Sequence, residues 1–274
     1  MTRRRFYAPP EAFAPGGSTV VLAREETQHL RNVLRLKAGD EAFVFDGAGR
    51  EYACVVAASE RGGRRGAETA TLEVREQVEP QRPESPLTLR LAVALLKGEK
   101  FDLVVQKATE LGASIIVPVV TKRADVRVRE GHEAASSRVA RWRRLALEAA
   151  KQSGRARLPE VCAPVELAAL LTGTHGSGAS LVANTPSGGV ERRLFFTERG
   201  GRSLKETLGE WPAAMRPSKL TALVGAEGGW EDEEIAQATA AGWHAVTFGG
   251  RILRAETAAI VVTALLQHRY GDLI

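Results

Sequence analysis

The sequence predicts an α/β protein of two domains, a small β-barrel followed by a parallel sheet covered by helices on both faces. Short strand patterns dominate the residues before position 79. The segment EPQRPESP (79–86) then places three prolines among charges, which is typical of a linker. After it, strand and helix patterns alternate, as in a parallel sheet. We therefore expect a barrel at 1–78, a linker at 79–86 and a second domain at 87–274.

The barrel is predicted from three strand patterns and one helix. STVVLA (18–23) and EAFVFDGAGREYACVV (41–56) contain β-branched and aromatic residues, and the DGAG turn in the second run predicts a hairpin. ATLEVREQV (70–78) alternates like a half-buried strand. Between the first two runs, the leucines of REETQHLRNVLRLKAGD predict a short amphipathic helix that ends near Gly39.

The second domain is predicted to alternate strands with helices. The predicted strands are LTLRLAVALL (87–96), SIIVPVV (114–120), SLVAN (180–184), KLTALVG (219–225) and AVTFG (245–249). The predicted helices are 101–112, 136–154, 204–211, 231–242 and 256–270. Ligands of parallel sheets bind at the carboxyl ends of strands, so we expect the loops after the last two strands to border the site.

Composition excludes several classes of protein. Among 274 residues, 44% are hydrophobic and 26% charged, as in ordinary globular proteins. No run reaches the ~20 apolar residues of a membrane helix, and no apolar stretch of a secretory signal follows the first arginines. Cys54 and Cys162 lie far apart and the five histidines are scattered, which predicts neither a disulfide framework nor a metal site. We expect a cytoplasmic protein without a membrane partner.

The charge distribution favours a nucleic-acid partner. Net charge is +5 and the sequence pI is about 9.5, which permits a polyanionic ligand. A single basic cluster is usually a solvated face, but five clusters in one chain favour RNA or DNA. They lie at 3–5, 24–37, 61–65, 122–129 and 138–157.

Two glycine-rich loops stand where a ligand is expected. The first glycine loop (225–230) reads GAEGGW, and the second glycine loop (249–257) reads GGRILRAET. Neither GxxxxGK[ST] nor a strand followed by GxGxxG occurs, so a P-loop nucleotidase and a nicotinamide enzyme are poorly supported. Either loop alone fits an ordinary tight turn. Because both follow strands expected to be adjacent, we predict a shared pocket.

These loops carry a family resemblance. LVGAEGGWEDEEI (223–235) with FGGRILRAETAAI (248–260) resembles the paired cofactor loops of SPOUT methyltransferases, and more narrowly the bacterial 16S ribosomal RNA uridine N3-methyltransferases. The resemblance runs nearly from end to end. Other agreeing stretches are RRFYAP (4–9), HLRNVLRLKAGD (29–40), FDGAG (45–49), ALLKGEKFDLVVQKATELGASIIVPV (94–119) and EAAKQSGRARLPEV (148–161).

The resemblance implies a PUA-like RNA-binding barrel followed by a SPOUT domain with a deep trefoil knot. It implies S-adenosyl-L-methionine as methyl donor, a homodimer, and 16S ribosomal RNA or the small ribosomal subunit as partner. The knot rests on the resemblance alone, since general connection rules disfavour knots. Two positions depart from the family pattern, Ala226 in place of proline and Glu231 in place of Ser or Thr. We expect the second change to weaken the helix start by about 1 kcal/mol unless Asp232 caps it.

The resemblance also assigns the cofactor site, mainly through backbone groups. Glu227 has a physical reason to be there, since a carboxylate favours the sulfonium cation of the donor. The alternative for Glu227 is to cap the helix amides or pair with an arginine. The implied cofactor-binding residues are Leu223, Gly225, Glu227, Gly228, Phe248, Gly249, Ile252, Leu253 and Thr257.

Methylation at N3 of uridine has a chemical requirement that narrows the catalytic candidates. N3 carries a proton, so the site needs a base, worth about 10²–10⁴ in rate, or a cation that stabilises the uridine anion. Arg254 is the candidate cation, and Glu227 or Glu256 the candidate base. The alternatives for Arg254 are to anchor a phosphate or to form a salt bridge.

The target base must be unstacked, a cost that RNA contacts offset. Phe6 and Tyr7 either stack on bases or belong to the core of the first strand. The expected phosphate and base contacts are Arg3, Arg4, Arg5, His29, Arg31, Arg35, Lys97, Lys100 and Arg155.

Two other functions remain open. One is a SPOUT methyltransferase acting on a different RNA position, such as a ribose 2′-hydroxyl, which the full-length resemblance disfavours. The other is a noncatalytic RNA-binding dimer, which the presence of Glu227, Arg254 and the loop glycines disfavours.

Overall fold

The structure is a computed structural model and describes residues 3–58, 69–124, 132–173, 191–211 and 216–273. The chain forms two compact units. The first comprises Met1–Glu84 and Ala150–Leu158, and the second comprises Ser85–Ala149 and Pro159–Ile274. The predicted strand at 180–184 and the basic cluster at 61–65 lie outside the described residues. The boundaries 1–78, 79–86 and 87–274 remain a prediction, and the sequence pattern had not associated 150–158 with the barrel.

The described part of the first unit contains a five-stranded sheet in the order β1-β3-β4-β5-β2. β1 runs parallel to β3, and the other neighbours pair antiparallel. The predicted hairpin is confirmed as β3 and β4, with the Asp46 carboxylate accepting bonds from turn amides. Phe6 and Tyr7 belong to β1, and Phe6 is fully buried, which favours its core role. The strands are β1 (Arg5–Tyr7), β2 (Thr19–Val21), β3 (Glu41–Phe45), β4 (Glu51–Val56) and β5 (Thr71–Val78).

The helix of this unit differs from the predicted regular helix. An α-helix, α1 (Arg24–Gln28), continues directly as a π-helical turn (His29–Val33). The Leu34 amide bonds the His29 carbonyl at 3.0 Å, five residues back. Arg35, which follows, has a positive φ of 54°, unusual for a residue with a side chain. Hydrophobic spacing alone does not distinguish the two helix types, so the sequence missed the wider turn.

Buried ion pairs hold the first unit together. The Glu51 carboxylate is fully buried and accepts bonds from Arg3 at 3.1 Å and from Arg5 at 3.1 and 3.3 Å. It also accepts the Gln81 amide at 3.0 Å. Because every bond is charge-assisted or to a backbone amide, the carboxylate is compensated for its lost hydration.

The segment Ala150–Leu158 joins this unit through specific contacts. The Arg155 side chain bonds the Glu84 carboxylate at 2.8 Å, and the Arg155 carbonyl accepts a bond from Arg5 at 3.0 Å. Lys151 pairs with Glu26 at 2.6 Å. The segment is therefore an integral part of the unit.

The second unit contains a parallel sheet in the order β11-β13-β10-β12-β6-β7-β8 among its described residues, with β9 also pairing with β7. The interior strand β6 contacts both faces of the sheet, since Leu91 and Val93 belong to one hydrophobic cluster and Ala92 to another. This confirms a sheet covered on two faces. The strands are β6 (Thr88–Ala94), β7 (Ile115–Val120), β8 (Glu160–Val161), β9 (Val165–Glu166), β10 (Glu191–Phe196), β11 (Arg202–Ser203), β12 (Lys219–Val224) and β13 (His244–Thr247).

The described helices divide between the two faces. Buried residues of α2 and α7 share one cluster, whereas those of α4 and α6 share the other. Glu231 is the N-cap of α6 and its amide bonds the Glu234 carboxylate at 3.0 Å, so Glu231 rather than Asp232 occupies the cap. The helices are α2 (Lys100–Glu110), α3 (His132–Ser153), α4 (Leu167–Thr172), α5 (Leu204–Gly209), α6 (Asp232–Ala240) and α7 (Ala255–Tyr270).

One strand that the sequence did not predict changes the arrangement. β10 lies between β12 and β13, pairing with both. The expectation that the two glycine loops follow adjacent strands is therefore wrong, and the end of β10 lies between them. The pattern ERRLFF gives only three apolar residues after three charged ones, too short a signal to predict a buried strand.

We expect Glu51→Gln to destabilise the first unit by about 3 kcal/mol, because it leaves buried arginine charge without its counter-ion. Hydrogen exchange of the β4 amides measures this as a lower opening free energy. The control is Glu73→Gln, whose pair with Arg75 is half exposed and contributes at most about 1 kcal/mol. Equal effects of the two substitutions would contradict the assignment of Glu51 as the central counter-ion.

Candidate active site

A cavity of about 260 Å³ opens beyond the carboxyl ends of β10, β12 and β13. Parallel strands bring their carboxyl ends to one edge, which is why both glycine loops and the end of β10 meet here. The first turn of α7 completes the wall. The lining residues are Phe196, Thr197, Glu198, Val224, Gly225, Ala226, Gly229, Trp230, Thr247, Phe248, Gly249, Gly250, Arg251, Ile252, Leu253, Ala255 and Ala258.

Trp230 fixes the shape of the first glycine loop. Its indole N–H donates to the Phe196 carbonyl at 2.8 Å, and its ring packs on Phe195 with centroids 4.5 Å apart. The same indole lies under Gly225, only 2.7 Å from the position that a Cβ would occupy. Glycine at 225 is therefore a packing requirement.

Other glycines serve the backbone conformation. Gly229, Gly249 and Gly250 have φ values of 69°, 68° and 71°, in the left-handed region that favours glycine. No heavy atom lies within 4 Å of a Cβ position at Gly249 or Gly250. At these two positions glycine is needed for the left-handed backbone conformation of the turn. The Thr247 hydroxyl accepts a hydrogen bond from the Gly249 amide at 3.2 Å.

The cavity offers an apolar surface beside polar backbone. Phe196 and Phe248 stack with centroids 5.0 Å apart. Ile252 lines the cavity yet is 85% exposed, an unusual position for a large aliphatic side chain. Apolar walls with a few amides and carbonyls suit a flat heteroaromatic ligand.

The carboxylate of this cavity is not the one expected. Glu198, after β10, lines it. Glu227 is exposed, does not line the cavity and forms an ion pair with Lys100. The hydrogen bond that the Lys100 ammonium donates to the Glu227 carboxylate is the main cause that raises the pKa of Lys100. The alternative interpretation of Glu227 as one half of an ion pair is thus closer to the structure, although the partner is a lysine.

The predicted cofactor residues fall into two groups. Gly225, Phe248, Gly249, Ile252 and Leu253 line the cavity, whereas Leu223, Glu227, Gly228 and Thr257 do not. Leu223 is fully buried in the core below, and the Gly228 carbonyl accepts a bond from Arg123 at 3.0 Å. Arg254 is exposed as the N-cap of α7, immediately after Leu253. Sequence reasoning missed Phe196, Thr197 and Glu198 because it missed β10.

The predicted RNA contacts also divide. Arg5 and Arg155 are buried in the ion pairs of the first unit, so their guanidinium groups are not presented to solvent. Arg3 is partly buried against Glu51 and the Phe43 ring. Arg4, Arg35 and Lys97 are exposed, and His29, Arg31 and Lys100 are partly exposed. Burial therefore does not support direct RNA contact by Arg5 and Arg155.

Other chemistries find little support in the described ranges. No group of three or more His, Cys, Asp or Glu side chains among them is arranged to hold a metal ion. Both cysteines are free, and burial raises the pKa of Cys54 and of Cys162 to about 12. Their thiols stay protonated at neutral pH and are poor nucleophiles. Within the same ranges, none of the helices combines the length and apolar composition that crossing a bilayer requires.

Comparison with known families defines the class of protein. The family model of an RNA methyltransferase domain matches residues 83–267, and that of an RNA methyltransferase PUA domain matches residues 22–63. The parallel sheet with its edge cavity is thus an RNA methyltransferase domain, and the five-stranded unit contains a PUA-like domain.

Individual relatives narrow the class. Ribosomal RNA small subunit methyltransferase E of Synechocystis sp. is 33% identical over 247 residues, covering 90% of this chain and 72% of its own length. The crystal structure of the protein of that name from Neisseria gonorrhoeae, bound to S-adenosyl methionine, is 30% identical with a TM-score of 0.78, covering both chains completely. A Legionella pneumophila protein, whose structure contains the bound cofactor SAM, is 28% identical to this chain. Its TM-score is also 0.78, and both chains are covered completely. The chain belongs to the ribosomal RNA small subunit methyltransferase E family.

We expect Gly225→Ala to displace the Trp230 indole and break its bond to Phe196, at a cost of about 1–3 kcal/mol. Thermal unfolding and the emission of Trp230 measure the two effects. Gly209→Ala is the control, because nothing lies within 4 Å of its Cβ position at the end of α5. Unchanged stability and emission in Gly225→Ala would contradict the packing requirement.

Proposed function

We propose that this protein transfers a methyl group from S-adenosyl-L-methionine to N3 of a uridine in 16S ribosomal RNA of the small ribosomal subunit. The observation that carries the proposal is the cavity shared by the two glycine loops and the end of β10. Family membership supports methylation of RNA, and the relatives' names supply the small-subunit substrate. The uridine N3 position comes from the resemblance of the paired loops.

The residues of the cavity fit this cofactor. The stacked Phe196 and Phe248 with Ile252 offer apolar surface for an adenine ring, and the glycines leave backbone amides and carbonyls accessible. Glu198 is the one carboxylate among its described lining residues. A carboxylate there favours a ligand that bears a positive charge. When bound, the cofactor supplies the electrophilic methyl group and the RNA supplies the nucleophilic nitrogen. The chain supplies the groups that bind and orient both.

The N-terminal end of α7 supplies cationic groups beside the cavity. Arg254 caps α7 next to the lining residue Leu253, and its guanidinium is solvent-accessible. We assign it to a carbonyl oxygen of the uracil, where it stabilises negative charge that develops as N3 loses its proton. Glu227 holds Lys100 near this end by an ion pair. We therefore assign Glu227 the role of positioning the Lys100 ammonium group. From the sequence, Glu227 was expected to act as a base or as a partner of the sulfonium.

RNA contacts are assigned to the exposed predicted residues. In the first unit these are Arg4 and Arg35, with His29 and Arg31 on the π-helical turn. π-helical turns recur at functional sites because the wider turn redirects side chains. In the second unit, Lys97 and Lys100 precede and begin α2. Arg3 completes the set from its partly buried position.

A homodimer is part of the proposal. α7 is apolar on nearly all sides, and Leu265 on it remains 41% exposed. A helix of this composition is normally covered on every side, so a second copy of the chain is the expected cover. The deep trefoil knot, the metal-free mechanism and the cytoplasmic location, where small-subunit RNA is modified, complete the proposal.

The test is methyl transfer by the purified protein to small ribosomal subunits lacking modification, with labelled S-adenosyl-L-methionine. We expect label in 16S ribosomal RNA and, after nucleoside digestion and mass spectrometry, N3-methyluridine. Recovery of 2′-O-methylated nucleosides would replace the proposed position by a ribose hydroxyl. Absence of cofactor binding by calorimetry, with the chain folded, would leave a noncatalytic RNA-binding protein.

We expect Glu198→Gln to weaken S-adenosyl-L-methionine binding about 10-fold, because the cavity loses its negative charge. Isothermal calorimetry measures this. Glu210→Gln is the matched control, since Glu210 is an exposed partner of Arg202 away from the cavity. Glu227→Gln is expected to change the affinity less than Glu198→Gln. The reverse order would return the cofactor contact to Glu227, as the sequence predicted.

A further inference from the structure

A second cavity lies on the other side of the first turn of α7. Its volume is about 750 Å³ and it is wide open to solvent. Residues 97–100 before and at the start of α2 form one wall, α3 another, and Glu256 of α7 the third. Apolar surface comes from Leu103 and Leu145. The polar groups, besides Glu256, are those of Lys97, Glu99, Lys100, Asp102, Gln106 and Arg141.

Glu256 is the unusual member of this cavity. It is only 8% exposed, and its Oε2 atom is buried without a hydrogen-bond partner among the described residues. A buried carboxylate oxygen normally has a partner, since leaving it without one is costly. Lys100 lines the same cavity and donates one of its three N–H groups to Glu227, and the Glu256 Oε2 atom receives none of them. Among the described residues, none supplies a hydrogen-bond donor to this oxygen.

A ligand in the second cavity can supply this donor, and the chemistry of the cavity wall restricts which ligand fits. A carboxylate acceptor is accompanied by Lys100 and by the Gln106 side-chain amide, which offer hydrogen-bond donors. The imide edge of uracil presents the complementary set, an N3–H donor between two carbonyl acceptors. Cytosine carries an unprotonated N3, which would face the carboxylate acceptor to acceptor.

We infer that the second cavity receives the flipped uracil and that Glu256 is the catalytic residue that accepts its N3 proton. This inference deepens the proposed function and rests on it. It assigns the proton acceptor to Glu256 over Glu227, whose carboxylate is already paired with Lys100. It also makes Glu256 a determinant of uracil over cytosine.

The first turn of α7 places the two cavities back to back. Ala255 and Ala258 line the first cavity, and Glu256 lines the second. Residues three apart share a helix face, whereas the next residue along points about 100° away. The first turn of α7 thus contributes to both cavities, and methyl transfer requires that N3 of a uracil in the second cavity lies at the rim that faces the first cavity.

The step balances without a further reactant. The N3–H bond breaks and the proton passes to the Glu256 carboxylate, while the N3 electron pair forms the bond to the methyl carbon. The bond between that carbon and the sulfonium sulfur breaks, its electron pair stays on sulfur, and the neutral thioether leaves. The proton then leaves Glu256 for solvent through the open side of the cavity.

The test compares Glu256→Gln with the unaltered protein on two substrates. One is small-subunit RNA with ordinary uridine, and the other is the same RNA transcribed with 5-fluorouridine, whose N3–H is more acidic. We expect kcat on ordinary RNA to fall about 10²–10⁴-fold with the KM for RNA changed little. On the fluorinated RNA the deficit should shrink at least about 10-fold, because an acidic proton depends less on a base. Calorimetric affinity for S-adenosyl-L-methionine and the unfolding temperature should stay unchanged.

Glu206→Gln is the matched control, since Glu206 lies in the first turn of α5 as Glu256 does in α7, and it is exposed. An equal loss on both RNAs would overturn the inference, because a structural role affects both substrates alike. Full activity of Glu256→Gln would overturn it as well. If the unaltered protein forms no N3-methyluridine on this RNA or on small ribosomal subunits, the proposed function itself fails. Formation of N3-methyluridine with an equal loss on both RNAs leaves the proposed function and removes only the role of Glu256.

Discussion

The hydrogen bond from the Trp230 indole to the Phe196 carbonyl is the contact on which the candidate active site depends. It joins the end of the first glycine loop to the end of β10. With the indole held there, only glycine fits at 225, because a Cβ at that position would lie 2.7 Å from the ring. The strand ends would still meet without this bond, but the loop that faces them would lose its fixed shape.

The sequence predicted those parts of the fold that have a strong local pattern. The hairpin of β3 and β4, the strands β6, β7, β12 and β13, and the helices α2, α6 and α7 carry clear periodicity or turn signals, and they are present. The sequence did not predict β10 because half of its residues are charged. For the same reason it did not predict Glu198 as a site residue, nor that β10 lies between the two strands that precede the glycine loops. Which strand inserts between two others is set by long-range pairing, and no local pattern contains that information.

Charged residues were harder to assign than elements. In the structure Glu227 and Glu198 each follow a strand, but the first is paired with Lys100 and the second lines the cavity. Arg5 and Arg155 belong to basic clusters, yet both guanidinium groups are used within the first unit. Whether a charge faces solvent, a ligand or a counter-ion depends on residues as distant as position 155 from position 5. Clusters in sequence therefore indicate a partner class better than they identify contacts.

The inclusion of Ala150–Leu158 in the first unit has a consequence for synthesis of the chain. Arg5 finds one of its acceptors, and Glu84 its arginine, only when residue 155 has been made. At ordinary elongation rates the ribosome needs roughly 4–15 s to extend the chain from residue 84 to residue 158. During that interval the amino-terminal strands lack some of their native contacts. The first unit therefore completes its folding only after part of the second unit has been synthesised. In a protein expected to modify ribosomal RNA, folding of the amino-terminal unit is thus completed only after a later segment of the chain has been synthesised.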